Sequence, residues 1–206
     1  MAQFIKLYEE NPNSREIQKV VKILKQGELI IFPTDTVYGL GCDLKNPKAL
    51  KKLALLKGVK IEKANFSFIT DSLSNLSEYV RPMDTPTYKL LKRLLPGPYT
   101  FIMEGVNRLP KPFSNKKTVG IRIPDNSIVR AMVQELGNPL AVTSLKDEDE
   151  IIEYTTDPEI IFNNWQNQVA VVIDAGYGGN TPSTVIDVTG AEPVVIREGL
   201  GSVDNI

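Results

Sequence analysis

The chain contains no histidine and only one cysteine, Cys42. Without histidine there are no imidazole general bases, Ser-His-Asp triads or phosphohistidines, so any reaction rests on carboxylates, Lys, Arg, hydroxyls, backbone dipoles or a bound metal. One cysteine excludes an intramolecular disulfide, and the same count without histidine excludes the common zinc sites. A reducing compartment fits this composition. Lacking a histidine to take its proton, Cys42 reads as a small half-buried residue beside a loop and not as a nucleophile. Long apolar runs are absent too. No stretch approaches the roughly 18 residues that span a bilayer, and MAQFIKLYEENPNS lacks a cationic segment followed by an apolar one. The expectation is a cytoplasmic protein with no membrane partner. Neither sign of charge prevails, with 24 Lys and Arg against 25 Asp and Glu and a net charge of -1. Nucleic-acid binding would therefore need a local basic face.

What is present points to one domain. At 206 residues and 42% hydrophobic composition the chain can build one sizeable core and is short for two, so residues 1–206 are expected to form a single domain. Asn13 or Ser14 caps a helix with Ile17, Val20, Val21 and Leu24 inward and Gly27 past its end. Asn46 and Pro47 open a second helix that runs to Lys57 and Gly58, and Thr85-Pro86 opens a third that ends before Pro96. Ile128 to Leu136 repeats the helical spacing. Apolar runs at 29–32, 66–69, 99–103, 119–123, 140–143, 169–173, 184–188 and 194–196 read as strands. Helices alternating with short apolar strands indicate an α/β fold, and the strands clustered near the C-terminus suggest antiparallel pairing and so a mixed sheet.

The most informative segment is Pro33 to Gly41, PTDTVYGLG, directly after the buried run Leu29 to Phe32. Pro33 ends the strand, and Thr34, Asp35 and Thr36 place two hydroxyls and a carboxylate at its C-terminal edge, where open α/β sheets bind ligands. Gly39 and Gly41 let backbone pass close to a neighbour. Neither GxxxxGK[ST] nor GxGxxG occurs in this segment, so the usual phosphate loops do not apply. Spacing alone is equally compatible with a plain strand-turn-helix connection.

The string PTDTVYGLG resembles the N-terminal signature of the YrdC/YciO family, PT(E/D)TVYGLG. Further segments agree in order along the chain. PGPYTFIM (Pro96 to Met103) resembles PGPLT, VGIRIP (Val119 to Pro124) resembles VxxRxP, and PLAVTS (Pro139 to Ser144) resembles the stretch ending in SAN. PSTVID (Pro182 to Asp187) and VIREG (Val195 to Gly199) resemble the closing STV and R(P/E)G elements. The resemblance implies a single twisted mixed sheet with flanking helices and a concave face that holds the ligand.

It also implies an activity. Family members condense L-threonine, bicarbonate and ATP into threonylcarbamoyl-adenylate, which feeds threonylcarbamoyladenosine modification of tRNA, with Mg²⁺ accompanying the nucleotide. By resemblance Thr34 contacts the amino-acid substrate, Arg122 pairs with its carboxylate, Ser183 lies near that pocket, and Lys57, Ser144 and Arg197 face the nucleotide. Ordinary roles remain open for each: a strand-end salt bridge for Arg122, a tie to the C-terminus for Arg197, turn caps for Thr34 and Ser183.

The chain departs from the synthases on the nucleotide side. Their KxR and SxN pairs keep Lys57 and Ser144 here, but Val59 stands for the arginine and Lys146 for the asparagine. Lys60 offers a cation one residue on, without the planar fork of an arginine. Asn65-Phe66-Ser67-Phe68 matches the NPL(I/V)xH segment only at the asparagine. These differences resemble the YciO branch. They leave two readings: a nucleotide-binding enzyme that handles ATP, AMP or threonylcarbamoyl-adenylate with weak or altered turnover, or a non-catalytic binder of double-stranded or structured RNA. The RNA reading would use Lys57, Lys60, Lys63, Arg108, Lys111, Lys116 and Lys117 on a basic face. The acidic run Asp147 to Glu150 reads as a solvated loop, with Mg²⁺ binding the alternative.

Overall fold

The computed structural model describes residues 1–145, 155–204 and 206. Among these, ten strands form one open mixed sheet. In chain order they are β1 (Gln3–Lys6), β2 (Ile30–Phe32), β3 (Gly39–Asp43), β4 (Ser67–Ile69), β5 (Tyr99–Glu104), β6 (Thr118–Arg122), β7 (Leu140–Ser144), β8 (Val171–Asp174), β9 (Thr184–Asp187) and β10 (Val194–Arg197). Their spatial order is β1-β8-β2-β3-β7-β4-β6-β5-β9-β10. Parallel pairs (β1/β8, β2/β8, β4/β6, β5/β9) mix with antiparallel ones, including the expected β9/β10 hairpin.

The helices are α1 (Ser14–Lys25), α2 (Pro47–Leu56), α3 (Thr85–Leu94), α4 (Ser127–Leu136) and α5 (Pro158–Trp165). Asn13 Oδ1 accepts from the amides of Arg15 and Glu16, and Asn46 Oδ1 from those of Lys48 and Ala49, so both expected caps satisfy amides that the first turn leaves unpaired. Gly137 ends α4 at φ 78°, a left-handed conformation that side chains disfavour. Strand alternation then splits the core in two. Ile30, Phe32, Ile69, Leu140 and Val142 face α1 and α4, while Ile31, Leu40, Cys42, Phe68 and Phe101 face the side holding Leu50, Leu53, Leu91 and Ile161.

Three elements lie outside the sequence reading. β1 is a four-residue edge strand with one buried residue, too short for its alternation to register. α5 has eight residues and buries only Pro158 and Ile161. The third, β3, changes the topology at the signature: the chain leaves β2 by a turn and returns antiparallel, so the strand-turn-helix alternative is incorrect. Glycine accounts for this. A Cβ on Gly41 would lie 2.8 Å from the Ala141 carbonyl and 2.9 Å from the Val142 side chain, so β3 fits between β2 and β7 only without one. Cys42 is fully buried on β3 and not half-buried beside a loop, and burial pushes its thiol pKa up, which keeps it an inert thiol.

Candidate functional site

A cavity of about 390 Å³ opens on the sheet face that α1 and α4 cover elsewhere; Ile69 and Val142 belong to both that core and the cavity wall. Its floor follows from strand register. Ser67 pairs with Gly120 and Val142, Ile102 with Gly120, Ile69 with Arg122, and Thr100 with Val185, and all of them line the cavity. The floor is lowest around Gly120, Ser67 and Thr100, its small residues. A Cβ on Gly120 would already lie 3.1 Å from Ser67 Oγ and 3.4 Å from Thr100 Cγ2.

Arg122, at the C-terminal end of β6, dominates one end. Its Nη2 lies 2.5 Å from Asp35 Oδ1 and donates to Thr36 Oγ1 at 2.5 Å and to Thr34 Oγ1 at 3.1 Å. Thr34 Oγ1 in turn donates to the Val37 carbonyl at 2.6 Å and accepts from the Thr36 amide at 3.1 Å, which closes the turn between β2 and β3. Asp35 Oδ2 accepts from the Asp125 amide at 3.1 Å and so joins this turn to the start of α4. Burial holds the Arg122 guanidinium below its usual pKa, Asp35 opposes that shift, and the charge of Arg197 adds to it. Buried Nε has no hydrogen-bond partner among the described residues, so one donor of the guanidinium is unsatisfied there.

The second wall is built from the C-terminal strands. Ser183 Oγ and Thr100 Oγ1 lie 2.8 Å apart, both side chains buried. Arg197 Nη2 donates to the Ser183 carbonyl at 2.7 Å and Nε to the same oxygen at 3.2 Å, a forked contact that fixes the guanidinium beside the cavity. Tyr38, also lining the cavity, donates its phenol to the Gly176 carbonyl at 2.7 Å and thereby ties the signature turn to the loop after β8.

Of the residues expected from sequence, Thr34, Arg122, Ser144, Ser183 and Arg197 line this one cavity. Lys57 and Lys60 do not. Lys57 is half-buried as the C-cap of α2, and exposed Lys60 precedes a 3₁₀ turn at Ile61–Lys63. Arg122 forms the strand-end salt bridge of its ordinary alternative and also lines the cavity. Lys146 and the acidic run Asp147 to Glu150 lie outside the described residues. Tyr38, Asn65, Ser67, Thr100, Lys116 and Gly120 are lining residues the sequence reading did not place here. One signal for Lys116 was available: 116, 118, 120 and 122 share parity, so a strand carrying Arg122 inward carries Thr118 and Gly120 inward and aims Lys116 the same way.

Comparison with known proteins decides the family. A family model described as Telomere recombination, which joins Sua5, YciO and YrdC proteins, matches residues 22–199. The chain belongs to the Sua5/YciO/YrdC family. It is 40% identical over 206 residues to an uncharacterised protein of Haemophilus influenzae and 37% identical to YciO of Escherichia coli, in each case over 98% of both chains. It is 30% identical to the threonylcarbamoyl-AMP synthase of Bacillus subtilis, over 93% of this chain and 55% of that one. The crystal structure of E. coli YciO superposes with a TM-score of 0.90 at 36% identity, covering 100% of this chain and 99% of that one. P. abyssi Sua5 complexed with L-threonine superposes at 0.85 with 25% identity, covering 96% of this chain and 58% of that one. The fold expected from sequence, a single mixed sheet with flanking helices, is shared with both structures.

Proposed function

We propose that this cavity binds a threonylcarbamoyl-adenylate-type ligand and that the protein is a nucleotide-binding enzyme with weak or altered synthase activity. The observation that carries this reading is the convergence of Thr34, Arg122, Ser144, Ser183 and Arg197 on one cavity. Arg122 and Arg197 gather positive charge at one end, suited to an amino-acid carboxylate or carbamate, and Asp35 holds Arg122 in place without filling its buried Nε. Thr100 and Ser183 offer hydroxyls beside it. Forming an acyl-adenylate requires two anions to be held together while charge on the phosphate is offset, a task for guanidinium, ammonium and backbone donors that needs no histidine.

Mg²⁺ would arrive with ATP. Among the described residues no carboxylate lines the cavity and no group of acidic or thiol side chains is arranged to hold a metal, so no step is assigned to a protein-bound ion. Among the same residues no helix is long and apolar enough to cross a membrane.

Incubating the protein with threonine, bicarbonate, ATP and Mg²⁺, and separately with preformed threonylcarbamoyl-adenylate, tests the reading. Release of pyrophosphate or of AMP above a heat-inactivated control supports it; neither, in either assay, removes it. If the missing arginine limits turnover, Val59→Arg combined with Lys146→Asn raises synthesis about tenfold, the effect of one charge-assisted contact. The RNA reading rests on Lys57, Lys60, Lys63, Arg108, Lys111 and Lys117 outside the cavity and on Lys116 within it. Duplex RNA that fails to bind saturably at low salt removes it.

A further inference from the structure

The end of the cavity away from Arg122 holds a cation. Lys116 lines it and donates from Nζ to Asn65 Oδ1 at 2.7 Å. Its backbone is pinned on both sides: the Lys116 amide donates to the Phe113 carbonyl at 2.8 Å, and the Lys117 carbonyl accepts from the Gly105 amide at 2.8 Å. Phe113 is buried edge-on against Phe68 and Phe66, with ring centroids 5.2 and 6.4 Å apart. The ammonium therefore projects from an anchored segment and not from a free loop.

Two of its three N–H donors have no partner among the described residues, and it forms no ion pair with any described carboxylate. Partial burial holds its pKa below the ordinary lysine value, as happens when an ammonium gives up water without gaining a counter-charge. Extended two residues beyond the start of β4, the register that pairs Ser67 with Gly120 and Val142 sets Asn65 level with Thr118 of β6 and Ser144 of β7. Thr118 stands four residues before Arg122 on β6, about 13 Å away. The cavity thus has a guanidinium end and an ammonium end, joined by a floor of uncharged residues that includes Ser67, Thr100 and Gly120.

We propose that Lys116, with Asn65 and Ser144, forms an anion subsite that receives the phosphate chain of a nucleotide. This deepens the reading of the cavity as a nucleotide site and rests on it. It supplies from the segment just before β6 the positive charge that the chain lacks at Val59.

The test is calorimetric titration of the full chain with tripolyphosphate, ATP, AMP and adenosine, using wild type, Lys116→Met, Lys116→Arg and Asn65→Asp, with Lys111→Met as control. Loss of one charge-assisted contact weakens tripolyphosphate and ATP about tenfold or more in Lys116→Met. Adenosine is unaffected, Lys116→Arg retains most of the affinity, and Lys111→Met matches wild type. Asn65→Asp sets a carboxylate against the ammonium and weakens the same two ligands, so the proposal stays testable if Lys116→Met folds poorly. Unchanged ATP and tripolyphosphate binding in Lys116→Met overturns the subsite while leaving the nucleotide reading intact. Binding of tripolyphosphate through Lys116 with no binding of any nucleotide keeps the subsite and removes the nucleotide reading. Equal losses for adenosine and ATP mean that the cavity has collapsed, and they overturn the subsite as well.

Discussion

Arg122 Nη2 and Asp35 Oδ1 lie 2.5 Å apart with both side chains about nine-tenths buried, so the signature turn after β2 and the end of β6 are joined by a desolvated ion pair. Two charges out of water are a weak source of net stability, yet removing one leaves the other uncompensated. Asp35→Ala is therefore expected to cost about 3 to 5 kcal/mol, read as a shift in urea midpoint. Replacing both, Asp35→Leu with Arg122→Met, recovers most of that loss. A single variant that melts like wild type would show the pair to be solvated in solution.

Arg122→Lys separates charge from geometry. Lysine keeps the positive charge toward Asp35 but loses the planar fork and the buried Nε–H, which has no partner among the described residues. Threonylcarbamoyl-adenylate should bind at least about tenfold more weakly to Arg122→Lys, with less destabilisation than in Asp35→Ala. Equal affinity in a titration would confine Arg122 to a structural role.

Gly120→Val fills the cavity from its floor. The new Cβ lies 3.1 Å from Ser67 Oγ and 3.4 Å from Thr100 Cγ2, close enough to need small shifts of side chains, while the added methyls occupy ligand space. Ligand affinity should fall about tenfold or more, for about 1 kcal/mol of stability at most. Gly41→Ala is the contrasting case. Its Cβ meets the Ala141 carbonyl at 2.8 Å, an atom of the β7 backbone that cannot rotate away, and about 1 to 3 kcal/mol should be lost.

Tyr38 and Tyr79 predict an alkaline limit. Burial, the main cause in each, pushes both phenols from about 10 up to about 12. In the unfolded chain they ionise near 10, so the stability tied to keeping them protonated is complete below pH 10 and lost as pH rises toward 12. Urea midpoints at pH 9 and 11.5 should differ, and less so in Tyr38→Phe. Spectrophotometric titration with all seven tyrosines ionising near 10 in the folded protein would remove this prediction.

Much of this architecture is local and could be read from the chain. The caps at Asn13 and Asn46, the inward stripe Ile17, Val20, Val21 and Leu24, and the β9/β10 hairpin depend on neighbours within one turn or one hairpin. β3 was missed because its strand character is not in its composition. Gly39 and Gly41 have low strand propensity; pairing with β2 and β7 extends them, and at Gly41 the approach of β7 leaves no room for a Cβ.

The family, the mixed α/β sheet and the exclusion of histidine and disulfide chemistry were legible in the chain, as were five of seven candidate residues that line the cavity. Those residues sit in strands or in the turns that end them, and strand parity decides which way they face. Chain packing alone reveals that Asp35 anchors Arg122 from 87 positions away, that Lys57 and Lys60 stand outside the cavity, and that Lys116 stands inside it. These are questions of which strands become neighbours and in what register. In the order β7-β4-β6-β5-β9, segments distant in sequence share one sheet face, and no local periodicity encodes that adjacency.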